Sequence, residues 1–360
     1  MVRWVIAIAA VLACGLDAHA QKLTDAEAKE GFLSIFNGKD FSGWRFSESA
    51  VLPDKLPDNW KVEDGVIKLS GGGSPHCGSQ WDYEDFDARI EWRAMKDKYN
   101  SGFYIRSGRK VGSNQINLAK GGEGGFIGGK ITGAKTVPEL QKAPMEWNEW
   151  RVLAVGDKVS FWCNGQLAWE GTELKDRRGY LGLQAEGAPI EFRNLRVKEL
   201  GFESLGEAKQ WAEAGGHWKW DGASLASDGK GGALETARKD YKSYVLRLEW
   251  KGDKGASGGV SLRGAKADKT LVHLGDLEGG SGELPGLAVK PSKKVDNTLG
   301  QWNYLELRVA GGKATVWLNG VVTAEGVDLK GDGEPAAGIS LHSDGPALEF
   351  RNLRIKEIKE

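Results

Sequence analysis

Apolar and polar residues alternate along this chain in short runs with a period of two, the signature of strands with one buried face. In Val159-Ser-Phe-Trp-Cys163 the alternation puts Val159, Phe161 and Cys163 on one face and turns Trp162 the other way. Asn164-Gly165 follows, and the chain returns through Gln166-Leu-Ala-Trp169. This is a hairpin pattern whose two-residue loop needs positive φ, which Asn-Gly tolerates. The pattern recurs: Ala314, Val316 and Leu318 alternate, Trp317 faces away, and Asn319-Gly320 makes the turn. Asn37-Gly38 and Asp64-Gly65 mark further turns, with Val66-Ile-Lys-Leu69 after the second. No stretch carries a long helical period, so the fold class is all-β. One short helix is expected at Thr24–Gly31, where Thr24 and Glu27 are spaced as a capping box and Gly31 is a stop. Ser204 and Glu207 repeat that spacing before Trp211.

The chain also repeats itself on a larger scale. Glu191-Phe-Arg-Asn-Leu-Arg-Val-Lys-Glu199 is restated as Glu349-Phe-Arg-Asn-Leu-Arg-Ile-Lys-Glu357, and Arg89-Ile-Glu-Trp-Arg93 as Arg247-Leu-Glu-Trp-Lys251. A period of about 158 residues is a domain, not a solenoid unit. Two copies of one sandwich therefore stand head to tail, residues 21–200 and 201–360, each expected to fold alone. In the terminal phrase Phe192 differs in parity from Leu195 and Val197, which requires a bulge near Asn194.

Composition narrows the partners. The 360 residues carry a net charge of −1 with both signs interspersed, which leaves neither a nucleic-acid footprint nor an anionic-membrane patch and favours neutral partners. Arg3 precedes an apolar run, Trp4 to Leu16, too short to span a bilayer, and Ala18-His-Ala20 fits a cleavage site. Residues 1–20 thus read as a signal peptide of a secreted or periplasmic protein with no transmembrane segment. Val11-Leu-Ala-Cys14 offers the alternative of a lipid anchor on Cys14. An oxidising compartment would let Cys77 and Cys163 pair. Cys163, however, occupies an inward position matched by Leu318 and suits a buried free thiol. The glycine-rich stretch Lys120–Gly133 lacks the strand-then-helix context of a phosphate loop and reads as a surface loop closing over or beside a cleft.

Phe36-Asn-Gly-Lys-Asp40 ahead of Trp44, Asn100-Ser-Gly-Phe-Tyr-Ile-Arg106, Gln115-Ile116, Gly182-Leu-Gln184 and Phe192-Arg-Asn-Leu-Arg196 together make residues 31–200 resemble the 3-keto-disaccharide hydrolase family. The resemblance implies two tandem concanavalin-like jelly-roll sandwiches, the second diverged, and an exported protein. It also implies cleavage of 3-keto-glycosides by 1,2-elimination and rehydration or by net hydrolysis. The chain departs from the family in three places. Asn114 and Leu118 stand where acidic residues are common around the Gln-Ile, and Glu186 stands where a His is frequent.

A 3-ketone acidifies the hydrogen on C2, so elimination needs a base near C2 and a donor or cation at the ketone oxygen. Strand parity groups Tyr104 with Arg106, Gln115 with Asn117, and Gln184 with Glu186 on one sheet face. Glu186 is the expected base, His76 the other candidate, and Arg106 the expected holder of the ketone. Asn100, Tyr104, Gln115, Asn117, Gln184 and Trp81 supply the planar hydrogen-bonding groups and aromatic platforms that a sugar requires. The second copy replaces Asn100, Tyr104, Gln115 and Gln184 by Ser257, Ser261, Leu271 and His342, and is expected to be catalytically silent. Glu91 and Arg106 recur as Glu249 and Arg263, which suits a salt bridge. No spacing of His, Cys and carboxylates reads as a zinc site. A jelly roll can carry calcium, but no ligand set is evident, so the cofactor stays open. Carbohydrate binding without catalysis is the alternative reading.

Overall fold

The computed structural model describes residues 23–46, 53, 55–108, 113–212, 217–221, 224–264, 268–329 and 337–359. The expected signal peptide and Cys14 lie outside the described residues. Each half is a sandwich of two antiparallel sheets. In the first half the larger sheet runs Gln166–Gly171, Lys158–Cys163, Asn148–Val155, Phe86–Ala94, Ile190–Glu199, Val66–Leu69, Trp60–Glu63. The smaller runs Trp44–Phe46, Cys77–Tyr83, Gly179–Leu183, Gly102–Ser107, Gln115–Asn117, Phe126–Ile127. The second half repeats the larger sheet, and among the described residues its smaller sheet has the strands Ala233–Glu235, Ser340–Ser343, Ser257–Ser261 and Leu271–Gly275, with Trp211 bridging Thr236 at the edge as Trp44 pairs with Ser79 in the first half. The all-β jelly-roll expectation holds for both.

Local chemistry explains the elements. Asn164 and Gly165 have φ of 51° and 80°, and Asn319 and Gly320 have 50° and 72°, the left-handed pairs that the hairpins demand. Phe192, Leu195 and Val197 are all buried because the register shifts between Arg193 and Arg196, with Asn194 at φ 50°; Asn352 repeats the bulge at φ 52°. Helix Asp25–Glu30 has the Thr24–Glu27 capping box and ends at a left-handed Gly31. The second box does not form as spaced. Glu203–Ser204 pairs as a strand with Ile355 and Arg354, and the box is instead Glu207 with Gln210 on a single 3-10 turn, Ala208–Gln210. Cys77 and Cys163 are buried, free thiols. The glycine-rich loop is less superficial than expected: Glu123 is buried with Tyr99 donating to it, and Trp169 donates to the carbonyl of Gly124 at 3.0 Å.

Paired arginines line the outward side of each larger sheet. Arg89 and Arg196, neighbours across two strands, both bond Glu27, and Arg89 lies over Phe32. Their counterparts Arg247 and Arg354 both bond Glu199, the last residue of the first domain's final strand, and both lie over Phe202. Arg247 also meets Glu306 at 2.7 Å, and Arg178 donates to Glu306 at 2.6 Å, so a buried charge network joins the domains. The apolar cores stay separate except that Tyr304 joins the first.

Removing one partner of a buried ion pair leaves an uncompensated charge. Glu199→Ala should therefore lower the stability of the full chain by about 3–5 kcal/mol in urea unfolding, whereas Arg308→Ala, at a half-exposed pair with Glu84, should leave the midpoint almost unmoved.

Candidate functional site

One row of residues crosses the smaller sheet of the first domain. Arg45 pairs with Gly78, Gly78 with Gly182, Gly182 with Tyr104, and Tyr104 with Gln115. In this row the two glycines form a floor. A Cβ at Gly78 or Gly182 would stand 2.8 or 2.6 Å from the ring of Tyr180, which lies across both. Arg45 sits over that ring at 5.1 Å, and Tyr104 meets its edge with centroids 6.1 Å apart. The corresponding row of the second domain reads Glu235, Ser340, Ser261, Leu271. It has side chains where the first has floor.

Around this row the structure gathers most of the expected residues. Gln115 donates to Gln184 at 2.8 Å and to the carbonyl of Ser101 at 3.2 Å. His76 lies 5.4 Å from Tyr104, centroid to centroid, and its Nδ1 accepts the backbone N–H of Ala185 at 3.0 Å. That bond fixes the neutral tautomer, with the proton on Nε2 free to donate. Glu186 is half-buried on the same loop and close enough to help raise the pKa of the Tyr104 phenol, whose burial is the larger cause. Asn100 packs beneath Gly187, and Asn117 donates to the carbonyl of Gly122 at 3.1 Å. Tyr104 is fully buried, and among the described residues its hydroxyl has no partner.

Two expected residues belong elsewhere. Arg106 is fully buried and donates to the carbonyls of Glu84 at 2.6 Å and Gly156 at 2.5 Å and to Asp85 at 3.0 Å. Its guanidinium ties loops together and has no freedom to hold a ketone. Nor does it pair with Glu91, which instead binds Arg193 and Asn194. Trp81 is no sugar platform. It sits at the domain junction with Arg247 and Arg354 each about 5 Å from its ring centre and Tyr304 edge-on at 5.4 Å. The junction crevice beside it, about 470 Å³, is a weaker candidate because its charged groups are paired: Glu249 with Arg351, Arg354 with Glu199.

Sequence reasoning missed Arg45, Gly78, Tyr180 and Gly182. The signal was present: Trp44 and Phe46 point inward, so Arg45 points out, and the parity that selects Gln184 also selects Gly182 and Tyr180. No group of three or more His, Cys, Asp or Glu residues that could hold a metal occurs among the described residues.

A tandem jelly roll with this polar and aromatic cluster on one copy defines a carbohydrate-acting class of protein. The chain belongs to the 3-keto-alpha-glucoside-1,2-lyase-like domain family, whose model matches residues 31–198 and again 202–356. It is similar to a 3-keto-disaccharide hydrolase of Bacteroides thetaiotaomicron, 24% identical over 233 residues, 48% of this chain and 79% of the relative. Among solved structures, a candidate glycosyl hydrolase from Parabacteroides distasonis is 24% identical, with a TM-score of 0.41 over 50% of this chain and 99% of that one. A carbohydrate-binding module from Bacillus subtilis is 13% identical, with a TM-score of 0.36 over 45% and 98%.

Burial lowers the pKa of His76 below its ordinary 6.5. Between 6.5 and the lower folded value the unfolded chain binds more protons, so the His76 contribution is full above 6.5 and stability falls as pH drops through that window. His76→Gln should flatten the pH dependence of the urea midpoint between about pH 7.5 and 5.

Proposed function

We propose that the first domain cleaves glycosides oxidised to a ketone at C3, and that the protein does so outside the cytoplasm, secreted or periplasmic, with a lipid anchor on Cys14 as the alternative. The observation that carries this reading is the polar row around Tyr104, Gln115, Gln184 and His76. It occurs only in the first copy, while both copies keep the same family scaffold.

Glu186 removes the C2 proton, and the electron pair moves toward C3, placing negative charge on the C3 oxygen. His76 Nε2–H and the unpartnered Tyr104 hydroxyl donate to that oxygen in place of Arg106. The pair then returns to form a C1–C2 double bond as the bond from C1 to the aglycone oxygen breaks, and the aglycone leaves with a proton. Adding water across the enone completes a net hydrolysis. The Gln115–Gln184 pair, with Asn100 and Asn117 beside it, orients ring hydroxyls. The second copy, with Leu271 at the Gln115 position, serves the scaffold rather than the chemistry.

Binding without turnover is the second reading. Leu118 favours it, being fully buried and apolar where the resemblance leads one to expect an acid. Product analysis on a 3-keto-glucoside decides between them. The first reading expects free aglycone, with a conjugated enone absorbing in the ultraviolet unless it is rehydrated at once. Glu186→Gln should slow the chemical step roughly 10²–10⁴-fold while sparing binding. No cleavage of either anomer, with divalent metals supplied, would leave the binding reading.

A further inference from the structure

We propose that helix Asp25–Glu30 is a plug: it covers a docking surface on the first domain that fits the end of the second domain of another copy of this chain. The junction inside the chain is made by two faces. The receiving face is the arginine pair of the second domain, Arg247 with Arg354. The entering end is Glu199, which closes the first domain's final strand, with the carbonyl of Asp82 beside it accepting from Arg247 at 2.7 Å. Both faces occur twice. Arg89 and Arg196 repeat the receiving face in the same register, with Arg89 over Phe32 as Arg247 and Arg354 are over Phe202. Glu357, which closes the second domain's final strand, repeats the entering end, with Asp240 at the position of Asp82. The step that carries the first domain onto the second, applied once more, therefore sets Glu357 of one copy between Arg89 and Arg196 of the next. Such a contact is heterologous, and repeating it builds rows or rings of copies.

The two spare faces differ in what holds them. Glu357 is exposed and pairs at the surface with Arg238, an interaction worth little. Arg89 and Arg196 are occupied by Glu27. The helix that brings Glu27 is six residues long and buries no other residue. A helix this short has little stability of its own, so the carboxylate is what keeps it in place. Glu149 meets Arg196, and Glu30 approaches Arg89 at 3.9 Å, but neither spans the two arginines. The contact between copies is weaker than the junction within the chain. Arg151 and Leu153 stand where Glu306 and Arg308 close the junction, and Lys242 stands where Glu84 meets Arg308 and Lys356. A carboxylate tethered in the same chain competes at an effective concentration on the order of millimolar. Glu27 thus keeps the surface closed until the helix leaves it.

The test follows the mass of the full chain by sedimentation velocity from micromolar to near-millimolar concentration. Wild type should stay monomeric. Glu27→Gln keeps the capping box, which accepts Gln at that position, but removes the charge between the arginines. It should still unfold cooperatively in urea and should associate as concentration rises. Adding Glu357→Gln should weaken that association roughly tenfold or more, while Glu357→Gln alone should leave the urea midpoint unmoved. Thr24→Ala removes the helix cap and leaves the carboxylate, so association should begin at a concentration between those of wild type and Glu27→Gln. This variant decides the matter if Glu27→Gln does not fold. A folded Glu27→Gln that stays monomeric, or one whose association ignores Glu357→Gln, overturns the proposal, as does a Thr24→Ala chain that behaves as wild type. If wild type already associates and Glu357→Gln releases it, the docking surface stands and the plug falls.

Discussion

The carboxylate held between two arginines on the outward side of each larger sheet is the interaction on which the arrangement depends. Arg89 beside Arg196, and Arg247 beside Arg354, are like charges in directly paired positions, an arrangement that destabilises a sheet unless an anion sits between them. The first copy takes that anion from its N-terminal helix, where Glu27 serves both the capping box and the clamp. Among the described residues the second copy has no such helix. It takes Glu199 from the final strand of the first. The terminal phrase of one domain thus completes the next, which is why the junction has no linker and why the second capping box is not needed as a helix start.

That clamp fixes where the second domain docks, and the docking reaches the polar row. Glu306 holds Arg178, two residues before Tyr180, and Arg247 donates to the carbonyl of Asp82 at 2.7 Å on the strand that carries Gly78. Gln80 on that strand exchanges hydrogen bonds with Asn297. The second copy, without those polar side chains of its own, thereby braces the strands that carry them in its neighbour.

Much of this was legible in the chain. Alternation gives the strands, Asn-Gly the hairpins, and parity the bulge at Asn194 and the shared face of Tyr104, Gln115 and Gln184. These features are local, decided by the pleat and by φ. What failed was non-local. Parity says which side of a sheet Arg106 and Trp81 occupy, but not what stands at the strand ends. There Arg106 reaches the carbonyls of two loops, and Trp81 extends past the register of its edge neighbour Trp44–Phe46 into the other domain. The within-chain comparison was the better guide to the candidate site than residue chemistry. It discounted Arg106, which recurs as Arg263, and it singles out the row whose every member differs between copies.

The glycines explain why such a row is so easily lost. Tyr180 can lie across the sheet only while Gly78 and Gly182 have no side chains, and the row then offers little packing of its own, since Gly in a strand weakens it. Stability alone favours filling the floor, as Glu235 and Ser340 do in the second copy. It also favours satisfying or deleting the buried Arg45 and Tyr104 donors, each a cost of about 1–3 kcal/mol while unpaired. The second copy has lost both. A first copy that keeps two glycines beneath Tyr180 and two unsatisfied donors in one row bears those costs together, and packing alone gives no reason to bear them.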